Sequence, residues 1–219
     1  MKRINFSGCL FDLDGTLVDS ILSVNRAWTS LAERHGLNRE LVLKSIHGRP
    51  ASECIKEFLC HKPKLIIQHE IEWLKERETN DTEGIVAIEG AIEFIQLLKE
   101  KGIPWGIVTS GNRSVAKARM LSGGIPQPDM LVTAEDIKNG KPNPEPYFLG
   151  AERLKLDVRD CIVFEDALAG IWSGLSARAQ VIAITNHEKF KQLAVSAIIS
   201  KYNDLDIAET DTNWQLILR

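Results

Sequence analysis

The sequence predicts an α/β protein: a mostly parallel sheet with helices on both faces, broken by one all-helical insert. Three observations carry this. Short apolar runs alternate with helix-length segments along most of the chain, the pattern of a sheet covered on both sides. Several of those runs end alike, in carboxylates or hydroxyls close to a glycine. Residues 18–87 show helical patterns and no convincing strand, which is more than one crossover helix requires.

The first strand is Cys9–Phe11, which stops at Asp12. The helical stretch opens with "DSILSVNRAWTSLAERHG", where Asp19 or Ser20 is the N-cap and Gly36 the end. Its spacing would bury Ile21, Val24, Trp28 and Leu31. "LIIQHEIEWLKERE" reads as a second amphipathic helix. "AIEFIQLLKEKGIP" follows, with Ile92, Ile95 and Leu98 on one face and Gly102 and Pro104 as the stop. The remaining strands are Trp105–Val108, Met130–Val132, Ile162–Phe164, Val181–Ile184 and Ala197–Ile199.

Composition narrows the function classes. The 219 residues are 44% hydrophobic and 26% charged with a net charge of -3, ordinary for a protein that buries a core. The basic footprint of a nucleic-acid binder is missing, and mild acidity does not favour an anionic membrane. The N-terminal residues reach Asp12 before a leader's apolar region forms. No run approaches the ~20 apolar residues of a membrane span. Cys9, Cys54, Cys60 and Cys161 make no CxxC pair, so the expectation is thiols in a reducing, cytoplasmic setting and no structural zinc. Without a long exposed heptad, a monomer is expected.

The chemistry lies at strand ends. The first strand runs into Asp12 and Asp14, the second into Thr109, Ser110, Gly111 and Asn112, and a later one into Glu165 and Asp166. Ligands of open α/β sheets bind beyond such carboxyl ends. Pooled carboxylates repel unless a cation sits among them; Asp12, Asp14 and Asp166, with or without Glu165, make an oxygen site suited to Mg²⁺. "TSGN" offers hydroxyls and N–H groups at a helix start, an anion site. Lys141 sits in a loop stiffened by Pro142, Pro144 and Pro146. Taken singly, each has a plainer reading: "DG" is turn chemistry, Thr109 and Ser110 are helix caps, and Lys141 is a solvated lysine. Together they describe the surroundings of a phosphoryl group.

"DLDGT", "VTSGN", "GKPNPEPY" and "VFEDALAG", in that order, resemble the four motifs of the haloacid dehalogenase-like phosphohydrolases. The resemblance spans essentially the whole chain and is greatest to small-sugar phosphatases and the β-phosphoglucomutase group. It implies a Rossmann-like core of residues 1–17 and 88–219 and a helical cap of residues 18–87. It implies Asp12 as the nucleophile that takes the phosphoryl group and Asp14 as the acid–base residue. Mg²⁺ would bridge Asp12, the backbone carbonyl of Asp14, and Asp166. Ser110, with the Gly111 and Asn112 backbone, would hold the other phosphoryl oxygens. Lys141 would neutralise charge, with Thr16, Thr109 and Glu165 in support.

The cap loop with His47, Gly48 and Arg49 would face the leaving group. Trp28 either stacks on it or, as its spacing favours, packs in the cap. A small phosphorylated metabolite, a sugar or sugar alcohol, is the expected substrate. Two other outcomes are a phosphosugar mutase and a phosphosugar-binding protein without turnover. Mutases of this group carry a histidine where Val24 and Asn25 stand, and the DGT form with Thr16 resembles the phosphatases. Arg178 stands where relatives show a small residue or glycine, at what reads as a helix end.

Overall fold

The structure, a computed structural model, describes residues 2–185, 190, 192–210 and 213–219. Among these, six strands form one parallel sheet at the places the sequence indicates. Strand β2 (Gly8–Phe11) is central, with β5 (Trp105–Val108) and β6 (Met130–Val132) on one side. On its other side lie β7 (Cys161–Glu165), β8 (Gln180–Ile184) and β9 (Ala197–Ile199). The chain therefore leaves β2 toward one edge and later returns to fill the other, so the strand order reverses beside β2. That reversal opens a crevice at the strand ends.

Alternation along each strand sorts the core into two layers. Phe11, Ile162 and Phe164 point to one face, with Phe11 stacked on Phe164 at 4.7 Å between ring centroids. There they meet Phe94, Ile95 and Leu98 of α5 (Ala91–Glu100) and Met120 of α6 (Arg113–Ser122). Leu10, Val163 and Val181 face the other way. They pack on Tyr147 and Ala151 of α7 (Glu145–Arg153) and Ile171 of α8 (Leu168–Ser176).

A second sheet was not expected from the sequence. Strands β1 (Lys2–Phe6), β11 (Trp214–Leu218) and β10 (Leu205–Glu209) pair antiparallel, with Lys2 opposite Leu218. Only alternate residues such as Ile4, Phe6, Ile207 and Leu216 are buried. Short strands that bury one face and pair across the whole chain give little local signal.

Strands β3 (Val18–Asp19) and β4 (Val86–Ala87) pair antiparallel. Between them lie α1 (Ile21–His35), α2 (Arg39–Ser45), α3 (Ala51–Phe58) and α4 (Lys64–Asn80). These helices share their own apolar cluster around Trp28, Leu31, Ile55 and Leu74. In α1, Ser20 is the N-cap residue, while the Asp19 carboxylate accepts from the Ile21 N–H at 3.1 Å. Two expectations of burial fail here. Ile21 is 53% exposed and Val24 only partly covered, because that end of α1 faces a cavity described below. In α4 the buried row is Glu70, Leu74 and Glu78, while Leu65 and Ile66 are exposed. The row repeats every four residues, so it is one helix face, but two of its members are acids. Among the described residues no helix is long and apolar enough to cross a membrane.

Arg178 follows α8 with φ of 64°, the left-handed region. Its N–H reaches back to the Leu175 carbonyl, closing the helix end where glycine is the preferred residue. A side chain there is strained by about 1 kcal/mol. Arg178→Gly should therefore raise the unfolding midpoint by roughly 2–4 °C without changing turnover. Calorimetry that gave an unchanged or lower midpoint would contradict this account.

Candidate active site

The turn after β2 explains why its glycine is needed. The Leu13 carbonyl accepts from the N–H groups of Thr16, Leu17 and Val18, with Leu13 and Leu17 fully buried as anchors. Gly15 takes φ of 90°, and a Cβ there would lie 2.2 Å from an Asp166 oxygen. Only glycine lets the β2 turn and the β7 end approach this closely. Thr16 Oγ1 donates to Asp166 at 3.4 Å, and its carbonyl accepts from Tyr202 OH at 3.1 Å.

Lys141 is not a solvated lysine. It is buried, and its three ammonium donors are all used: 2.7 Å to Asp12 Oδ1, 2.6 Å to Glu165 Oε1 and 2.8 Å to the Val108 carbonyl. Glu165 is saturated in turn. Its Oε1 also accepts from Tyr147 OH at 2.6 Å, and its Oε2 accepts from the N–H groups of Asp166 and Ala167. A Cβ at Gly170 would lie 1.7 Å from the same carboxylate, so this glycine makes room for Glu165. Glu165 therefore braces Lys141, and Lys141 holds Asp12.

Carboxylate oxygens of Asp12, Glu165 and Asp166 lie within 4.8 Å of one another. Burial, with Glu165 and Asp14 adding, pushes the Asp12 carboxyl up to about 7 against the pull of Lys141. Burial and then the charges of Asp12 and Glu165 push Asp166 well above the carboxylate range. One ammonium among three carboxylates, Asp12 and Glu165 buried and Asp166 partly so, leaves the group short of positive charge. An oxygen-lined site with that deficit suits a hard divalent cation. Asp14 turns its carboxylate elsewhere, toward Arg119, whose Nε lies 2.7 Å from its Oδ1.

At the end of β5, Thr109 Oγ1 accepts from the Gly111 N–H at 3.0 Å. The expected anion donor at Gly111 is thus engaged within its own loop. Ser110 Oγ donates to the Gly48 carbonyl at 3.1 Å, joining this loop to the helical segment. Asn112 is the N-cap residue of α6 without a side-chain bond to it, and the Arg113 N–H meets both Glu135 oxygens.

Over these strand ends lies a cavity of about 120 Å³, bounded from below by Asp12, Asp14, Ser110 and Asp166. Trp28, His47, Gly48 and Arg49 line it from the helical segment. Gly48 has φ of 74°, and a Cβ there would come within 2.7 Å of Ala167 Cβ. Arg49 donates to Glu57 at 2.7 Å. Trp28 packs edge-on against Phe58. Burial raises the Glu78 carboxyl to about 7, with Asp14 adding and Arg119 opposing.

Glu78, Arg119 and Tyr147 were missed by the sequence reading. A signal existed for the first two: each is a charged residue on its helix's buried row, Arg119 with Val115, Ala116 and Met120, and Glu78 with Leu74. Charges are seldom fully buried unless paired.

A doubly wound sheet whose reversal point gathers these acids around one buried lysine defines the class, a hydrolase of the phosphoryl-handling kind. Residues 6–178 match the sequence model of the haloacid dehalogenase-like hydrolases, and the chain belongs to that family. Hexitol phosphatase A of Escherichia coli (strain K12) is 50% identical over 177 residues, covering 81% of this chain and 82% of that one. Validoxylamine A 7'-phosphate phosphatase of Streptomyces hygroscopicus subsp. limoneus is 33% identical, covering 94% and 95%. Among solved structures, a family IA variant 3 HAD hydrolase from Entamoeba histolytica superposes with a TM-score of 0.79 at 25% identity, covering 91% and 95%.

Proposed function

We propose that the protein is a Mg²⁺-dependent phosphatase acting on small phosphorylated sugars or sugar alcohols through an aspartyl-phosphate on Asp12. The observation that carries the reading is Asp12 on the cavity floor, held at 2.7 Å by a lysine that Glu165 braces. The names of the relatives, sugar-alcohol and sugar-like phosphate phosphatases, support the substrate class.

In this reading an Asp12 carboxylate oxygen attacks phosphorus as the ester P–O bond breaks. Asp14 gives its proton to the departing sugar oxygen, then removes a proton from the water that releases phosphate. Lys141 keeps Asp12 ionised and in place, and the Ser110 hydroxyl steadies a phosphoryl oxygen once freed from Gly48. Asp12 and Asp166, with the Asp14 carbonyl, are the groups that would hold Mg²⁺, which when bound offsets repulsion between nucleophile and phosphate. Residues 18–87 act as a cap that shuts the cavity over a small leaving group. The apolar Ile21 and Val24 line the cavity from α1. Neither they nor Asn25 can relay a proton, which favours hydrolysis over the mutase reaction. The thiols of Cys9, Cys54 and Cys161 are buried and unpaired, which supports a reducing, cytoplasmic setting.

Inorganic phosphate should be released from several hexitol and hexose phosphates in the presence of Mg²⁺, and EDTA should abolish release. Isomerisation of a sugar phosphate without free phosphate would replace this reading with the mutase. Binding without turnover would replace it with the binding protein.

A further inference from the structure

We propose that Arg119 is a positioning residue for Asp14, aimed by the helical segment, so that the acid–base carboxylate is set when that segment covers the site. The inference rests on the phosphatase reading and adds to it a residue outside the four motifs.

Arg119 lies on α6 and is 1% exposed. Its guanidinium reaches three elements. Nε lies 2.7 Å from Asp14 Oδ1, a close ion pair without the alignment of a hydrogen bond. Nη1 donates to Ser23 Oγ of α1 at 3.0 Å, and Nη2 lies 3.6 Å from Glu78 Oε1 of α4. The two helical partners are themselves placed. Ser23 Oγ donates to the Asp81 carbonyl at 2.6 Å, and Glu78 is buried on α4 in the row that includes Leu74. Helices α4 and α6 also meet at the paired hydroxyls of Thr79 and Ser114, 3.2 Å apart.

A buried guanidinium is costly unless its partners are placed around it. An apolar residue would pack α6 against α4 without that cost. What arginine adds is a planar fork whose one edge meets Asp14 while the other is held from above. Asp14 sits on a turn and lines the cavity with its carboxylate part exposed, and Arg119 is the cation paired with it. Withdrawal of α1 and α4 would release Ser23 and Glu78 and leave the guanidinium free to swing from Asp14.

Leaving-group chemistry separates positioning from simple packing. An alkyl phosphate needs the Asp14 proton as its P–O bond breaks, because an alkoxide leaves poorly. Acetyl phosphate expels a carboxylate, which needs none. The value of kcat/KM reports the first transfer, to Asp12, for both. It should be measured on a hexitol phosphate and on acetyl phosphate for the wild type, Arg119→Met and Arg119→Lys, with Mg²⁺ present.

For Arg119→Met the alkyl value should fall about 100-fold, the scale of general acid catalysis, while the acetyl phosphate value falls less than about fivefold. Arg119→Lys should show the same split at smaller size. Equal losses on both substrates, or no loss, would overturn the proposal and leave Arg119 a packing residue. Should the Met variant not fold, the ratio in Arg119→Lys decides, and an unchanged ratio overturns it. A wild type inactive on both substrates would instead remove the phosphatase reading, which keeps the two failures apart.

Discussion

Asp12→Asn should lose phosphate release by at least about 10⁴-fold, the loss typical of removing a nucleophile that acts within a catalytic unit. Asparagine keeps the shape of the side chain but has no anionic oxygen to attack phosphorus. The fold should survive, because Lys141 retains Glu165 at 2.6 Å and the Val108 carbonyl at 2.8 Å. Losing a buried acid whose carboxyl is already pushed up to about 7 also removes repulsion from Glu165 and Asp14. Ester binding should therefore persist or tighten while turnover vanishes. Rapid quench with labelled substrate is the direct check: protein-bound phosphate appears in the wild type and not in the variant. A variant that keeps a tenth of the activity would move the nucleophile elsewhere.

The parts of this molecule that could be read from its sequence are those whose information is local. Strand β2 and the turn after it declare themselves because apolar residues, two acids and a glycine follow one another directly. The reason for that glycine is distant, however: Gly15 is required by Asp166, far along the chain. The same division separates Lys141, legible as a lysine in a proline-stiffened loop, from Tyr147 and its bond to Glu165, which exists only once α7 packs on the sheet. Arg119 and Glu78 carried a signal of the opposite kind. Each breaks the apolar row of its helix, which a search for hydrophobic faces treats as noise and a search for buried charge treats as a site. The β1–β11–β10 sheet had no such trace, since its strands are short, bury one face and pair across the ends of the chain.

Lys141→Met is the substitution expected to damage stability and activity together. Methionine has similar length and fills the space, so the loss isolates the charge. Three carboxylates, Asp12, Glu165 and Asp166, would then share a buried site with no cation. Removing one partner of a buried ion pair costs about 3–5 kcal/mol, which in a chain of this size lowers the unfolding midpoint by roughly 10 °C. Turnover should fall by more than about 10³-fold, because Asp12 loses both its orientation and the charge that keeps it ionised. The two losses respond differently to Mg²⁺. A divalent cation among the carboxylates replaces part of the missing charge, so added Mg²⁺ should raise the variant's midpoint by more than it raises that of the wild type. Activity should not return with it, since a cation in the oxygen site does not restore the missing ammonium and leaves Asp12 unheld from that side. Equal Mg²⁺ shifts in the two proteins would mean that the ammonium and the carboxylates are not balancing one another. The charge deficit would then have to be met from another element.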